Sequence, residues 1–275
     1  MEQTFSMLPQ RTLVTVLFLP LGILAIVVGG WVFTAVITGM LAYAAWEFNH
    51  LFKNAGYRPS ASILILGTAG IVLVRHTFQF SGNDLLFAFL VMSAMATQVI
   101  EFEKGSKTSA LDFTITIGGV LYLGWLGAYF ISLRSLPDGV WWMLLVFPAI
   151  LIGDAAAYFV GSRFGLHKLT RHVSPKKSWE GYIGGIIIAG LATMLLAGLW
   201  HMRVPFITLE KGLIVGLVIA ILAPLGDLGE SMLKRTFGVK DSSHLLPGHG
   251  GMMDRMDSWL WAAPIGYYLI VFLWM

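Results

Sequence analysis

Five acidic side chains and four Lys or Arg lie between Asp227 and Asp257, and their spacing suits the handling of phosphate groups. On a helix, Asp227, Glu230, Ser231 and Lys234 stand at i, i+3, i+4 and i+7 and share one face, with Met232 and Leu233 turned away. Charges at a membrane boundary are costly unless paired, hydrated or coordinated, so this face is expected to line a polar cavity. The simpler alternative is a surface ion pair between Glu230 and Lys234. Further on, Lys240 precedes Asp241, and His249 stands among Gly248, Gly250 and Gly251. Glycines let backbone N–H groups approach an anion and lysine adds a point charge, although such a turn can also merely reverse the chain. Asp254 and Asp257, at i and i+3 just before the last apolar run, can join Asp227 as hard oxygen donors for Mg²⁺. In nucleotidyl transfer that metal bridges phosphates and offsets the charge of the leaving group.

A second polar segment begins at Asp154, about fifteen residues into an apolar run, where an ionisable side chain is a functional candidate. A buried structural Asp hydrogen-bonded to Tyr158 or to a neighbouring helix is the alternative. Arg163, Lys168, Arg171, Lys176 and Lys177 follow and form a cationic platform, a pattern that also binds anionic lipid head groups without catalysis. Ser174, Lys177 and Ser178 precede a helix begun by Glu180, where a helix N-terminus can cradle a phosphate.

These segments must be positioned by apolar helices. Hydrophobic residues make up 57% of the 275 and charged residues 12%, about half the charged share of soluble domains. Apolar runs near 13–29, 31–47, 60–75, 84–100, 112–132, 139–161, 181–200, 209–226 and 258–275 predict an all-α polytopic membrane protein of about nine spans. The first run is read as a retained helix, not a cleaved signal. Its boundary with the second, at Gly29–Gly30, is the least defined. With the N-terminus cytoplasmic, 14 of the 18 Lys and Arg fall on the cytoplasmic side; Arg75, Arg134, Arg203 and Lys211 fall opposite. That puts the C-terminus on the far side. Residues 1–135 read as a scaffold of about five spans without a chemical cluster. Residues 136–275 read as the catalytic region, with cytoplasmic loops 162–180 and 227–257. The absence of cysteine removes disulfides, thiolate nucleophiles and Cys-ligated metals. No nucleic-acid partner is expected.

The pattern Ser231-x-Leu-Lys-Arg, then Lys240-Asp241, Leu246-Pro-x-His-Gly-Gly and Met252-x-Asp254-Arg-Met-Asp257 resembles the signature of the phosphatidate cytidylyltransferases, the CDP-diacylglycerol synthases. Gly153-Asp154 through Gly161 and Ser174-Pro-Lys-Lys-Ser-Trp-Glu-Gly181 resemble that family's second conserved region. The resemblance implies transfer of the cytidylyl group of CTP to phosphatidic acid, with release of pyrophosphate. It implies Asp227 and Asp254 as carboxylates of an Mg²⁺ centre, with room for a second metal ion. Ser231, Lys234, Arg235, Lys240, Asp241, His249 and Asp257 complete the implied catalytic set. Asp154, Ser174, Lys176, Lys177, Ser178, Glu180 and Arg255 are the implied substrate-binding residues. A homodimer among inner-membrane lipids, its site facing the cytoplasm, is the expected setting. One departure is Ala155, where family members commonly carry Thr or Ser, so a hydroxyl contact there is lost. A CTP-dependent lipid kinase and a transporter using Asp154 and Asp227 as relay sites are the competing readings.

Overall fold

The computed structural model describes residues 20–243 and 250–275. Among the described residues there is no β-strand; Lys168 and Ser178 form an isolated antiparallel bridge. Eight helices there are long and apolar enough to cross a membrane: α1 Gly30–Asn54, α2 Ala61–Phe78, α3 Asn83–Glu103, α4 Ser109–Arg134, α5 Gly139–Phe164, α6 Trp179–His201, α7 Leu209–Thr236 and α8 Met253–Trp274. This is the layout of a multi-pass membrane protein. Each answers one of the expected runs from the second onward. The first run, 13–29, is described from residue 20 onward and is helical over 20–28. The break after it falls where Gly29 (φ 67°) and Gly30 (φ 52°) take backbone angles that disfavour side chains.

Two helices differ from expectation in ways that matter for chemistry. The last helix begins at Met253, so Asp254 and Asp257 stand inside its first turns and not ahead of it. The polar face from Asp227 to Lys234 continues the preceding span, because α7 runs on to Thr236 with an interruption at Ala223–Pro224. Proline lacks the N–H that would continue the ladder, which accounts for the break.

The chain forms two compact units. The first comprises residues up to Ser132 together with Thr236–Met256. Within it α4 lies close against α1: a Cβ on Gly119 would press on the Phe48 ring at 2.8 Å, and one on Gly127 on the Leu41 side chain. A π-helical stretch, Val120–Trp125, interrupts α4. The loop between α1 and α2 is pinned from below. Asp112, fully buried, accepts from Arg58 N (2.7 Å) and Thr108 Oγ1 (2.7 Å), and Asn49 Nδ2 donates to the Pro59 carbonyl (3.1 Å). Arg75, grouped above with the far-side loops, is instead fully buried in the last turn of α2. Its guanidinium lies over the rings of Phe80 (3.9 Å), Trp125 (4.8 Å) and Tyr129 (4.9 Å) and donates to Ser132 Oγ, so cation–π contacts offset its desolvation.

The second unit comprises Leu133–Arg235 and Asp257–Met275. Small residues bring its helices into backbone contact, as expected where lipid offers no hydrophobic drive between helices. A Cβ on Gly185 of α6 would lie 2.8 Å from the Gly153 carbonyl of α5, and one on Gly216 of α7 would lie 2.9 Å from the Ala189 carbonyl of α6. Trp142 stacks on Trp274 with ring centres 5.5 Å apart. Gly226 seats the polar half of α7 on α8, since an added Cβ would collide with the Asp257 carbonyl and stand 2.7 Å from the Trp261 ring. Gly226→Ala is therefore expected to cost about 1–3 kcal/mol, the range for overpacking. Thermal unfolding in detergent checks this, and an unchanged melting temperature would refute the close approach.

Candidate active site

Within the second unit, α5, the loop after it and α7 bring Asp154, Lys177 and Asp227 into one polar cluster. The loop over 165–179 is stitched to itself: Leu169 N donates to the Lys177 carbonyl (3.0 Å) and Trp179 N to the His167 carbonyl (2.9 Å). That fold delivers Lys177 Nζ to Asp227 Oδ2 at 2.5 Å, with both side chains about 30% exposed (27% and 32%). Ser231, one turn along α7, donates to Asp227 Oδ1 at 3.2 Å. Asp154 is attracted by Lys177 and repelled by Asp227, and Asp257 is repelled by both Asp227 and Asp154. Asp257 also accepts from Ser258 N (2.5 Å). Three mutually repelling carboxylates facing one ammonium make a site with surplus negative charge.

Glu230 and Lys234 form an ion pair at 3.2 Å, but Glu230 is fully buried and Lys234 is 8% exposed. The pair is internal, and the surface-pair alternative does not hold. Arg235, Lys240 and Asp241 are exposed, as are Lys176 and Arg255. Tyr158 is 71% exposed, so a buried pairing of Asp154 with Tyr158 does not form, while Asp154 does lie near Lys177 and Asp227 of the neighbouring loop and helix. His249 and Gly248 lie outside the described residues.

Two of the expected substrate-binding residues act on the chain itself. Ser178 is buried and caps α6, its Oγ accepting from Gly181 N at 3.2 Å. Glu180 accepts from His167 Nδ1 (2.6 Å) and from the backbone N–H groups of Leu166 (3.2 Å) and His167 (3.2 Å). Ser174 belongs to the same turn, its N–H donating to Thr170 Oγ1 (3.0 Å) and its carbonyl accepting from Lys177 N (3.1 Å). These three shape the loop that presents Lys177.

Within the first unit, Ser242, Ser243 and residues 251–254 form their own cluster with Glu47. Asp254 Oδ2 accepts from Ser242 N (3.0 Å), Ser242 Oγ (2.9 Å) and Gly251 N (2.7 Å). Glu47 of α1, fully buried, accepts from Met252 N, Met253 N, Ser242 Oγ and Ser243 Oγ. Sequence reasoning passed over Glu47 because it stands alone in an apolar run. The signal was present nonetheless: it is the one acidic residue of α1, and the rule that singled out Asp154 applies equally to it.

Among the described residues no group of three or more His, Cys, Asp or Glu is arranged to hold a metal through protein donors alone. Mg²⁺ does not need such a cage, since it binds through one or two carboxylates with water and substrate phosphate completing its shell. The donors at hand are hard carboxylate oxygens with surplus negative charge, and they fit that ion.

The model of the cytidylyltransferase family matches residues 9–273. The chain is 30% identical to a phosphatidate cytidylyltransferase of Synechocystis sp., over 96% of this chain and 97% of that protein. It is 31% identical to the enzyme of that name from Bacillus subtilis, covering 95% and 97%, and 32% identical to that of Pseudomonas aeruginosa, covering 94% and 95%. The family match spans nearly the whole chain, and the polar residues that resembled the family's signature stand on α7, on α8 and in the segment before α8. The protein belongs to the cytidylyltransferase family.

Proposed function

We propose that this protein transfers the cytidylyl group of CTP to phosphatidic acid, giving CDP-diacylglycerol and pyrophosphate for phospholipid synthesis. The observation that carries the reading is the Lys177–Asp227 pair among the Asp154 and Asp257 carboxylates, on helices of membrane-spanning length. Relatives named for this activity support it along almost the full chain. The setting is the inner membrane with the site toward the cytoplasm, as the charge asymmetry of the loops favours. The homodimer rests on the resemblance alone.

The family resemblance implies Asp227 and Asp254 as carboxylates for Mg²⁺; Asp227 stands in the second unit and Asp254 in the first. When bound, that ion supplies positive charge against the phosphates and the departing pyrophosphate. The exposed Arg163, Lys168, Arg171 and Lys176 draw the anionic lipid head group to the loop, each worth about 1 kcal/mol near the surface. Lys177, held by Asp227 and by the turn through Ser174, presents an ammonium to phosphate oxygens. The lipid phosphate oxygen then attacks the α-phosphorus of CTP in line, the bond to the β-phosphate oxygen breaks, and pyrophosphate leaves. No general base is required, because a phosphate monoester with a second pKa of about 6 is already largely ionised near neutral pH. Catalysis then rests on positioning and on charge stabilisation.

The test uses purified protein in detergent with phosphatidic acid and CTP labelled at the α-phosphate. Mg²⁺-dependent entry of label into the lipid phase with equimolar pyrophosphate is the expected result. Label entering lipid only from γ-labelled CTP, with CDP released, would replace the reading by a lipid kinase.

A further inference from the structure

The buried Glu47 is not among the residues expected to meet substrate, and its contacts have one direction. Its Oε2 accepts from Met253 N (2.7 Å) and Ser242 Oγ (3.1 Å), and its Oε1 from Met252 N (3.0 Å) and Ser243 Oγ. All four donors come from a segment 195 to 206 residues away in sequence. They bracket both ends of the stretch that leads into Asp254. Glu47 lies seven residues before the end of α1, about 10 Å along its axis at 1.5 Å per residue. A carboxylate at such a place is expensive unless its oxygens are met by donors, and here they are.

The same donors lead on to Asp254. Ser242 Oγ lies within hydrogen-bond distance of Glu47 Oε2 and of Asp254 Oδ2, and its single proton serves the two carboxylates between them. Ser242 N and Gly251 N hold Asp254 Oδ2 at 3.0 and 2.7 Å. Gly251 has no space for a side chain, since an added Cβ would run into the Glu47 carboxylate and Ser242 Oγ. Glu47 thus ties down Ser242 and the residues beside Gly251, and these in turn fix the Asp254 carboxylate.

We infer that Glu47 is a positioning residue for cytidylyl transfer, acting through Ser242, Ser243 and residues 251–253 to fix the rotamer and orientation of Asp254. The inference rests on the proposed role of Asp254. Outer partners of this kind commonly change metal affinity or activity by about 10–100-fold when removed.

The experiment compares full-length wild type with Glu47→Gln and Ser243→Ala in detergent. Glu47→Gln keeps volume but turns an NH₂ group toward two of the four donors. Its kcat is expected to fall about 10–100-fold, with a smaller change in the KM for CTP. Half-saturation by Mg²⁺, and by Mn²⁺ followed by electron paramagnetic resonance without substrate, is expected to rise over the same range. Hydrogen exchange at the Met252 and Met253 amides is expected to quicken at least about tenfold, with exchange in α5–α7 unchanged. Ser243→Ala removes one donor and shifts each readout the same way by about 2–10-fold, and it decides the matter if Glu47→Gln cannot be isolated folded. Unchanged exchange and unchanged metal binding overturn the inference. A uniform rise of exchange through the whole chain overturns it too, by making Glu47 a general stabiliser. Failure of the wild type itself to transfer label would sink the proposed function instead, while the exchange readout would still report on the Glu47 contacts.

Discussion

Asp227→Asn is expected to lower cytidylyl transfer about 10²–10³-fold while the protein melts at the same temperature or higher. The activity loss follows from removing a charge where Mg²⁺ and Lys177 are both to be held; losing single groups that stabilise transition-state charge costs about 10²–10³-fold. The stability side follows from the neighbours. Asparagine retains an oxygen to accept from Ser231, so the local hydrogen bond survives. The Lys177 pair is partly exposed, and such pairs contribute about 0–1 kcal/mol. Against that small loss stands the relief of repulsion from Asp154 and Asp257. Opposite movements of activity and melting temperature identify a group retained for chemistry. A variant that is destabilised by several kcal/mol, or that keeps near-normal turnover, would remove Asp227 from the metal site.

Asp254→Asn is expected to lose activity on a similar scale but with a different structural trace. Three donors converge on Asp254 Oδ2, and an amide nitrogen placed there would meet N–H groups head on. If the amide turns so that its oxygen takes those donors, the nitrogen faces outward where the carboxylate oxygen stood, and it cannot bind a cation. The fold is preserved and the metal is not. Turnover falls about a hundredfold or more, and Mn²⁺ binding falls with it. Exchange at the Gly251 amide reports the local cost. Preserved metal binding in this variant would assign the centre to other carboxylates. Lys104→Ala serves as the comparison: its ammonium pairs at 2.8 Å with Glu101 and is 65% exposed, so activity and stability are expected to stay within about 0.5 kcal/mol of wild type.

What could be read without the structure is what short-range pattern encodes. Runs of apolar residues mark helices because the backbone in lipid must satisfy itself, and eight of the expected spans are helices in the described residues. The i, i+3, i+4, i+7 spacing from Asp227 to Lys234 placed four polar groups on one helix face, and Asp227, Ser231 and their neighbours do meet there. The family was legible as well, because its polar residues are concentrated in two short stretches of an otherwise apolar chain. Partner choice was not legible. Whether Glu230–Lys234 is a surface or an internal pair depends on what packs over it, and the helix period is the same in both cases. Ser178 looked like a phosphate contact from its place before a helix, and the family resemblance added Glu180 as a substrate-binding residue. In the folded loop their oxygens are taken by Gly181 N and by His167 with its preceding amide. The plainest case is Glu47, whose donors lie 195 or more residues away. Spacing fixes which side chains share a face of one helix, whereas contact between distant segments is decided by packing, which leaves no period in the sequence to find.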